Sequence, residues 1–249
     1  MEKVDGVPFT FFHPAAVVGL LRVAPLVPAG LIIGAMSPDF EYFLRLDTRS
    51  AYTHTIPGLI YACVPLGLLA LVLWQGVIRG PLVSALPALL RERVGWLASS
   101  GVPRTARAWW WSAVSVLIGA ATHLLWDSFT HPIFAPAQWL GLTAWSPVPG
   151  MRWTSVLQRV SDLIGLTVLV IVVARLPRRP VPAARRPWRF WLATAVTMAA
   201  LVGVRTAVDP GWVGLSAVVA TLISGCLLGV LAASIWSRVK NPDEGAFAG

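Results

Sequence analysis

The sequence predicts an all-α, polytopic integral membrane protein: a helical bundle of five full spans behind a kinked or re-entrant N-terminal segment. Three observations carry this. Hydrophobic residues make up 56% of the 249 and charged residues only 12%, about half the charged share of a soluble domain. Uncharged runs of 19 and 27 residues occur, and about 20 apolar residues cross a bilayer core. The arginines gather between alternate apolar runs. A mean hydropathy of +0.70 excludes a disordered chain, a disulfide scaffold and an ordinary cytosolic enzyme. The net charge of +9 would suit a nucleic-acid binder, but membrane-length runs do not. The expected partner is the lipid bilayer, with no nucleic acid.

The first apolar segment, 14–36, carries Arg22, Pro25 and Pro28. Proline removes a helix hydrogen bond and kinks the chain, so this is one kinked span or a re-entrant pair of short helices. The full spans follow at 58–76, 108–131, 156–174, 190–204 and 211–237. The third of these is interrupted only by Arg159 and Asp162, which we expect to pair. All of it reads as one membrane domain, 1–249. Cys63 and Cys226 lie in separate apolar runs as small hydrophobes, with no disulfide expected. Lys3 stands beside Glu2 and Asp5 with no small-residue cleavage site after it, so no cleavable signal peptide is expected. The stretch from Arg175 to Arg189 is rich in proline and arginine, and reads as a linker or surface-lying loop.

The basic residues orient the spans. Arg79, Arg91, Arg93, Arg104 and Arg107 follow the first full span. Arg175, Arg178, Arg179, Arg185, Arg186 and Arg189 follow the third, and Arg238 and Lys240 follow the fifth. The opposite loops hold only Arg45, Arg49, Arg152 and Arg205. Basic loops stay in the cytoplasm, so the C-terminus is expected there. The run Trp109-Trp110-Trp111 falls at a cytoplasmic boundary, where aromatic belts form.

The polar residues within and beside the spans mark a site. All four histidines sit at or in apolar segments: His13 before the first, His54 before the second, His123 and His131 in 108–131. Steps of four place His123, Asp127 and His131 on one helix face. An i, i+4 pair can hold one metal ion. The three residues span about 12 Å, which suits two ions, or one ion with a proton-transfer partner. A lone aspartate in a span costs several kcal/mol unless paired or coordinated. Asp39 and Glu41 follow the first segment. With His54 and His131 they fall at the non-cytoplasmic ends of their segments. His13 joins them only if 14–36 is a hairpin.

Pro-Phe-Thr-Phe-Phe-His-Pro, Ser-Pro-Asp-Phe-Glu-Tyr, Thr-His-Thr and Thr-His-Leu-Leu-Trp-Asp-Ser-Phe-Thr-His together resemble the bacterial membrane family called domain of unknown function 4184. The likeness is strongest over 7–135. More distantly, the motif order resembles inner-membrane metal-dependent hydrolases and zinc-dependent phospholipases C, although the former's His-Arg-Gly element is absent around His54. The resemblance implies a bacterial inner-membrane location. It implies metal ligation by His13, Asp39, His54, His123 and Asp127, with His131 a looser match.

Histidine and carboxylate donors suit zinc, manganese or iron. A divalent metal is therefore the expected cofactor, with Asp127 or Glu41 as general base. The leading expectation is a metal-dependent hydrolase of phosphoester or lipid-derived substrates. A His/Asp proton relay in a transporter and a non-catalytic protein with a structural site remain alternatives. The loop 132–153, with Trp139, Trp145 and Trp153, either covers the site or dips into the headgroup layer.

Overall fold

The computed structural model describes residues 10–95 and 101–240. The residues behind the signal-peptide expectation, Glu2 to Asp5, lie outside the described residues. Five helices are long and apolar enough to cross a membrane. The one β feature among the described residues is an isolated bridge between Trp145 and Arg152.

The N-terminal segment takes the hairpin form. A 3₁₀ helix, Thr10–Leu20, contains Pro14. The chain turns through a cis Ala24–Pro25 bond and enters α1, Pro28–Gly34, on a proline. Proline fits the first helical position because that N–H has no intrahelical partner. The two limbs pack on each other through buried Val17, Leu31 and Ala35. His13 thereby returns to the end of the segment that bears Asp39. A short 3₁₀ turn, Ser37–Asp39, leads into α2, Phe40–Arg45.

The next helix, α3, spans Ile56–Ala85, longer than the predicted 58–76. Arg79 therefore lies inside a helix and not in a loop. Thr55 caps the start, its hydroxyl accepting from Gly58 N at 3.0 Å. Two π-helical turns, Leu59–Cys63 and Trp74–Ile78, interrupt it. Pro65 and Pro81 lack the N–H groups that would bond the carbonyls four residues earlier. For Pro81 that carbonyl is Val77 O, and Arg238 Nε fills it at 2.9 Å.

The last carbonyls of any helix need outside donors. Here Ala184 N donates to Ser84 O, Trp191 Nε1 to Ala85 O and Arg91 Nη1 to Leu86 O, each at 2.9 Å. The Pro/Arg-rich linker is thus surface-lying and docked on the end of α3.

A short α4, Ala88–Val94, precedes α5, Ala106–Thr130, capped by Thr105. Helix α5 crosses α1 almost backbone to backbone. A Cβ on Gly119 would stand 2.3 Å from Leu31 O, and one on Gly34 would stand 2.2 Å from Val116 O. Small residues permit such approach, which drives helix association where lipid removes the hydrophobic incentive.

After α6, Ala135–Trp139, come α7, Trp153–Arg175, α8, Pro187–Val208, and α9, Leu215–Lys240. The predicted start of the last span at 211 is too early. Asp209 Oδ1 accepts from Gly211 N and holds a turn there. The expected Arg159–Asp162 pair is also absent: Arg159 Nη1 contacts Met151 Sδ at 3.2 Å instead. Arg205 reaches back from α8 to Leu46 O and to Thr221 Oγ1, and Ser224 Oγ donates to Phe43 O at 2.8 Å. These bonds fasten α2 to the α8–α9 pair. The spans alternate in direction, so the basic termini collect at one end of the bundle and the histidines at the other.

Candidate metal centre

Five groups from four chain segments meet at the histidine end. The 3₁₀ helix brings His13, the turn after α1 brings Asp39, and the residue before Thr55 is His54. Helix α5 brings His123 and Asp127. Helix periodicity explains the last two, and the hairpin explains His13. His54 is placed by a loop that sequence periodicity does not describe.

The inner atoms form a closed ring. His54 Nε2 lies 3.2 Å from Asp39 Oδ1 and 3.7 Å from Asp127 Oδ2. His123 Nε2 lies 3.5 Å from Asp39 Oδ1 and 3.2 Å from Asp127 Oδ2. Tetrahedral ligands at zinc-like bond lengths of about 2.1 Å stand about 3.4 Å apart. These four contacts fall within about 0.3 Å of that value, and the donor atoms that lie within 4.8 Å of one another form two groups sharing His123: Asp39, His54 and His123, and His13, His123 and Asp127.

The hydrogen bonding leaves this ring rich in acceptors. His123 Nδ1 lies 2.8 Å from Ala35 O. A carbonyl only accepts, so Nδ1 carries the proton. In the neutral ring Nε2 is then a lone pair facing two carboxylate oxygens. His123 is fully buried, and its Nε2 has no hydrogen-bond partner among the described residues. Unpaired acceptors buried against one another are costly; a proton or a metal cation among them removes that cost.

His54 is set the same way. Its Nδ1 lies 3.0 Å from Ser50 Oγ. Ser50 Oγ in turn donates to Glu41 Oε2 at 3.1 Å, so it accepts the Nδ1 proton and leaves Nε2 bare. Such outer partners fix the tautomer of metal-ligating histidines.

The other side of Asp127 faces outward. His131 Nδ1 lies 3.5 Å and His13 Nε2 3.8 Å from its Oδ1. The His13 ring stacks on His123 with centroids 3.8 Å apart. His131 is the most open of the four histidines, its side chain 16% exposed. The ladder of one helix face is thus split: His123 serves the inner oxygen of Asp127 and His131 the outer one.

Glu41 does not join this group. Its carboxylate accepts from Arg45 Nε at 2.8 Å, from the N–H groups of Ala51, Tyr52 and Thr53 at 2.9–3.0 Å, and from Ser50 Oγ. Burial opposes its charge, but these donors outweigh burial and hold the carboxyl at about 2. It clamps the 50–53 loop, and no lone pair is left for a general base. For Asp39, burial again opposes the charge, and His123 and His54 beside it hold the carboxyl at about 2.

Sequence reasoning passed over two participants. The Tyr42 hydroxyl lies 3.3 Å from His54 Nε2. Burial next to Asp39, Asp127 and Glu41 pushes that phenol up, so it remains a donor. Its position three residues after Asp39 is the signal that was available. The Ala35 carbonyl had none, because a backbone atom carries no residue signature. The loop 132–153 turns Trp139 and Trp145 outward, 82% and 67% exposed.

Comparison with curated proteins gives no match, nor does comparison with solved structures. The family described as "Domain of unknown function (DUF4184)" matches residues 7–235, so the likeness extends into the last two spans. Covering four spans, most of the fifth and every residue of the ring, that match makes the chain a member of the DUF4184 family.

Proposed function

We propose that the protein is a membrane-embedded, divalent-metal-dependent hydrolase acting on phosphoester or lipid-derived substrates. The observation that supports it best is the ring of Asp39, His54, His123 and Asp127 oxygens and nitrogens, with neighbouring donor atoms at coordination spacing. These four would hold the ion, zinc by preference, with manganese or iron as alternatives. A divalent ion there supplies Lewis acidity and lowers the pKa of a water it binds. The chain's own part is proton handling and orientation. Asp127 Oδ1 accepts a proton and His131, at the open edge, passes it to solvent. Tyr42 donates toward the ring, and Glu41 holds His54 in register through Ser50.

The basic end of the bundle then lies in the cytoplasm with the C-terminus, and the site opens toward the outer face of a bacterial inner membrane. Exposed Trp139 and Trp145 sit at the headgroup level, where a lipid-derived substrate is within reach.

Four protein donors also describe a closed structural site, and this favours one second reading, a non-catalytic metal protein. Asp127→Asn tests the metal centre, and turnover by the metal-bound wild type separates the two. The substitution keeps the shape and loses the charge. We expect inserted, folded protein with reduced metal content and no turnover of phosphoester substrates. Wild-type protein that holds metal but turns over none of a phosphoester panel supports the structural site instead.

A further inference from the structure

At the end of the bundle opposite the histidines, the C-termini of α3 and α9, the start of α8 and the docked linker line a partly open cavity of about 430 Å³. Five of its lining side chains are cations: Arg185, Arg186, Arg189, Arg238 and Lys240, and no carboxylate of the described residues lines it.

The cavity has fixed walls. Ala184 N bonded to Ser84 O and Trp191 Nε1 bonded to Ala85 O pin the linker and α8 to α3. The Arg238 bond to Val77 O holds its guanidinium beside α3. Buried Phe190 forms part of the lining. The first turn of α8, a helix of 22 residues with Arg186 at its N-cap, adds the positive end of the helix dipole.

Orienting a span needs basic residues anywhere in the loop. It does not need Arg186, Arg189, Arg238 and Lys240 gathered around one pocket, where like charges repel. An anion resolves that repulsion. We propose that this cavity binds the headgroup phosphate of an anionic phospholipid. The volume suits a small polar headgroup. Trp236 lines the cavity and is 41% exposed, and its sequence neighbours in the helix end, such as Val239, are exposed too; this apolar surface favours a lipid over a free phosphate. Basic pockets between spans on the cytoplasmic side recognise such headgroups. The proposal is independent of the metal centre at the other end.

The test uses the full-length protein in phosphatidylcholine nanodiscs, with and without phosphatidylglycerol, and counts retained lipid by native mass spectrometry. The cavity variant is Arg186→Gln with Lys240→Gln, both exposed positions. The control, Arg104→Gln with Arg107→Gln, removes equal charge from the same face but outside the cavity. A basic residue near the surface contributes about fivefold in affinity for anionic lipid, so the cavity variant should bind phosphatidylglycerol about twenty-five-fold more weakly. The control should bind as wild type does, and both should melt with wild type in pure phosphatidylcholine. Equal losses in both variants, or equal retention of the two lipids by wild type, would overturn the proposal. So would complete displacement of phosphatidylglycerol by millimolar inorganic phosphate, which would assign the cavity to a soluble anion. If the double variant does not fold, Lys240→Gln alone at the helix terminus carries the comparison, with a fivefold loss expected.

Discussion

Replacing Glu41 by glutamine isolates the clamp that positions His54. The carboxylate accepts from three consecutive backbone N–H groups, at Ala51, Tyr52 and Thr53, and from Arg45 and Ser50. Those bonds exist to the charged form, and they lower the carboxyl from 4.5 to about 2. At about 1.4 kcal/mol for each pH unit of lowering, the clamp contributes about 3 kcal/mol. Because the folded-state value is depressed, that stability is fully present above about pH 4.5 and is lost as pH falls toward 2. Glutamine offers one acceptor oxygen where carboxylate offers two, and turns an NH₂ group toward backbone donors.

Hydrogen exchange at Ala51, Tyr52 and Thr53 should therefore accelerate about a hundredfold at neutral pH. The difference from wild type should shrink as the pH is lowered from 4.5. Metal content should fall with it, since Ser50 no longer fixes the His54 tautomer. Unchanged exchange and unchanged metal in Glu41→Gln would refute the clamp. A variant with protected amides and full metal content but no turnover would return Glu41 to the chemistry as a general base.

Gly119→Ala places a methyl 2.3 Å from Leu31 O and should destabilise the α1–α5 crossing by about 1–3 kcal/mol, read as a lower melting temperature. Gly203→Ala, which meets nothing within 4 Å, should not. Reporter fusions after Arg186 should show cytoplasmic activity and those after Pro147 periplasmic activity; equal signals at both sites would contradict the orientation set by the arginines.

The spans were legible because hydropathy acts over 20 residues at a time, and the i, i+4 spacing of His123 and Asp127 survives any helix. Other features depend on contacts distant in sequence. The extension of α3 past Arg79 needs Arg238, the linker and Trp191 to satisfy its carbonyls. The Arg159–Asp162 expectation failed because spacing along a helix permits a pair but does not require it, and Met151 lay within reach. Glu41 was misassigned for a related reason. A carboxylate beside a histidine-rich motif has the composition of a base, and only the fold of the 50–53 loop shows that its oxygens are taken. The hairpin was decided by packing of Val17 on Leu31 and Ala35, which prolines allow without dictating.

Elemental analysis of purified wild-type protein tests the metal centre most directly. The ring of Asp39, His54, His123 and Asp127 predicts at least one divalent ion per chain, retained through purification. The double substitution of His123 and Asp127 by alanine should leave folded protein without it. Wild-type protein that stays metal-free even after supplementation with zinc, manganese and iron would contradict the centre, and the proposed hydrolase with it.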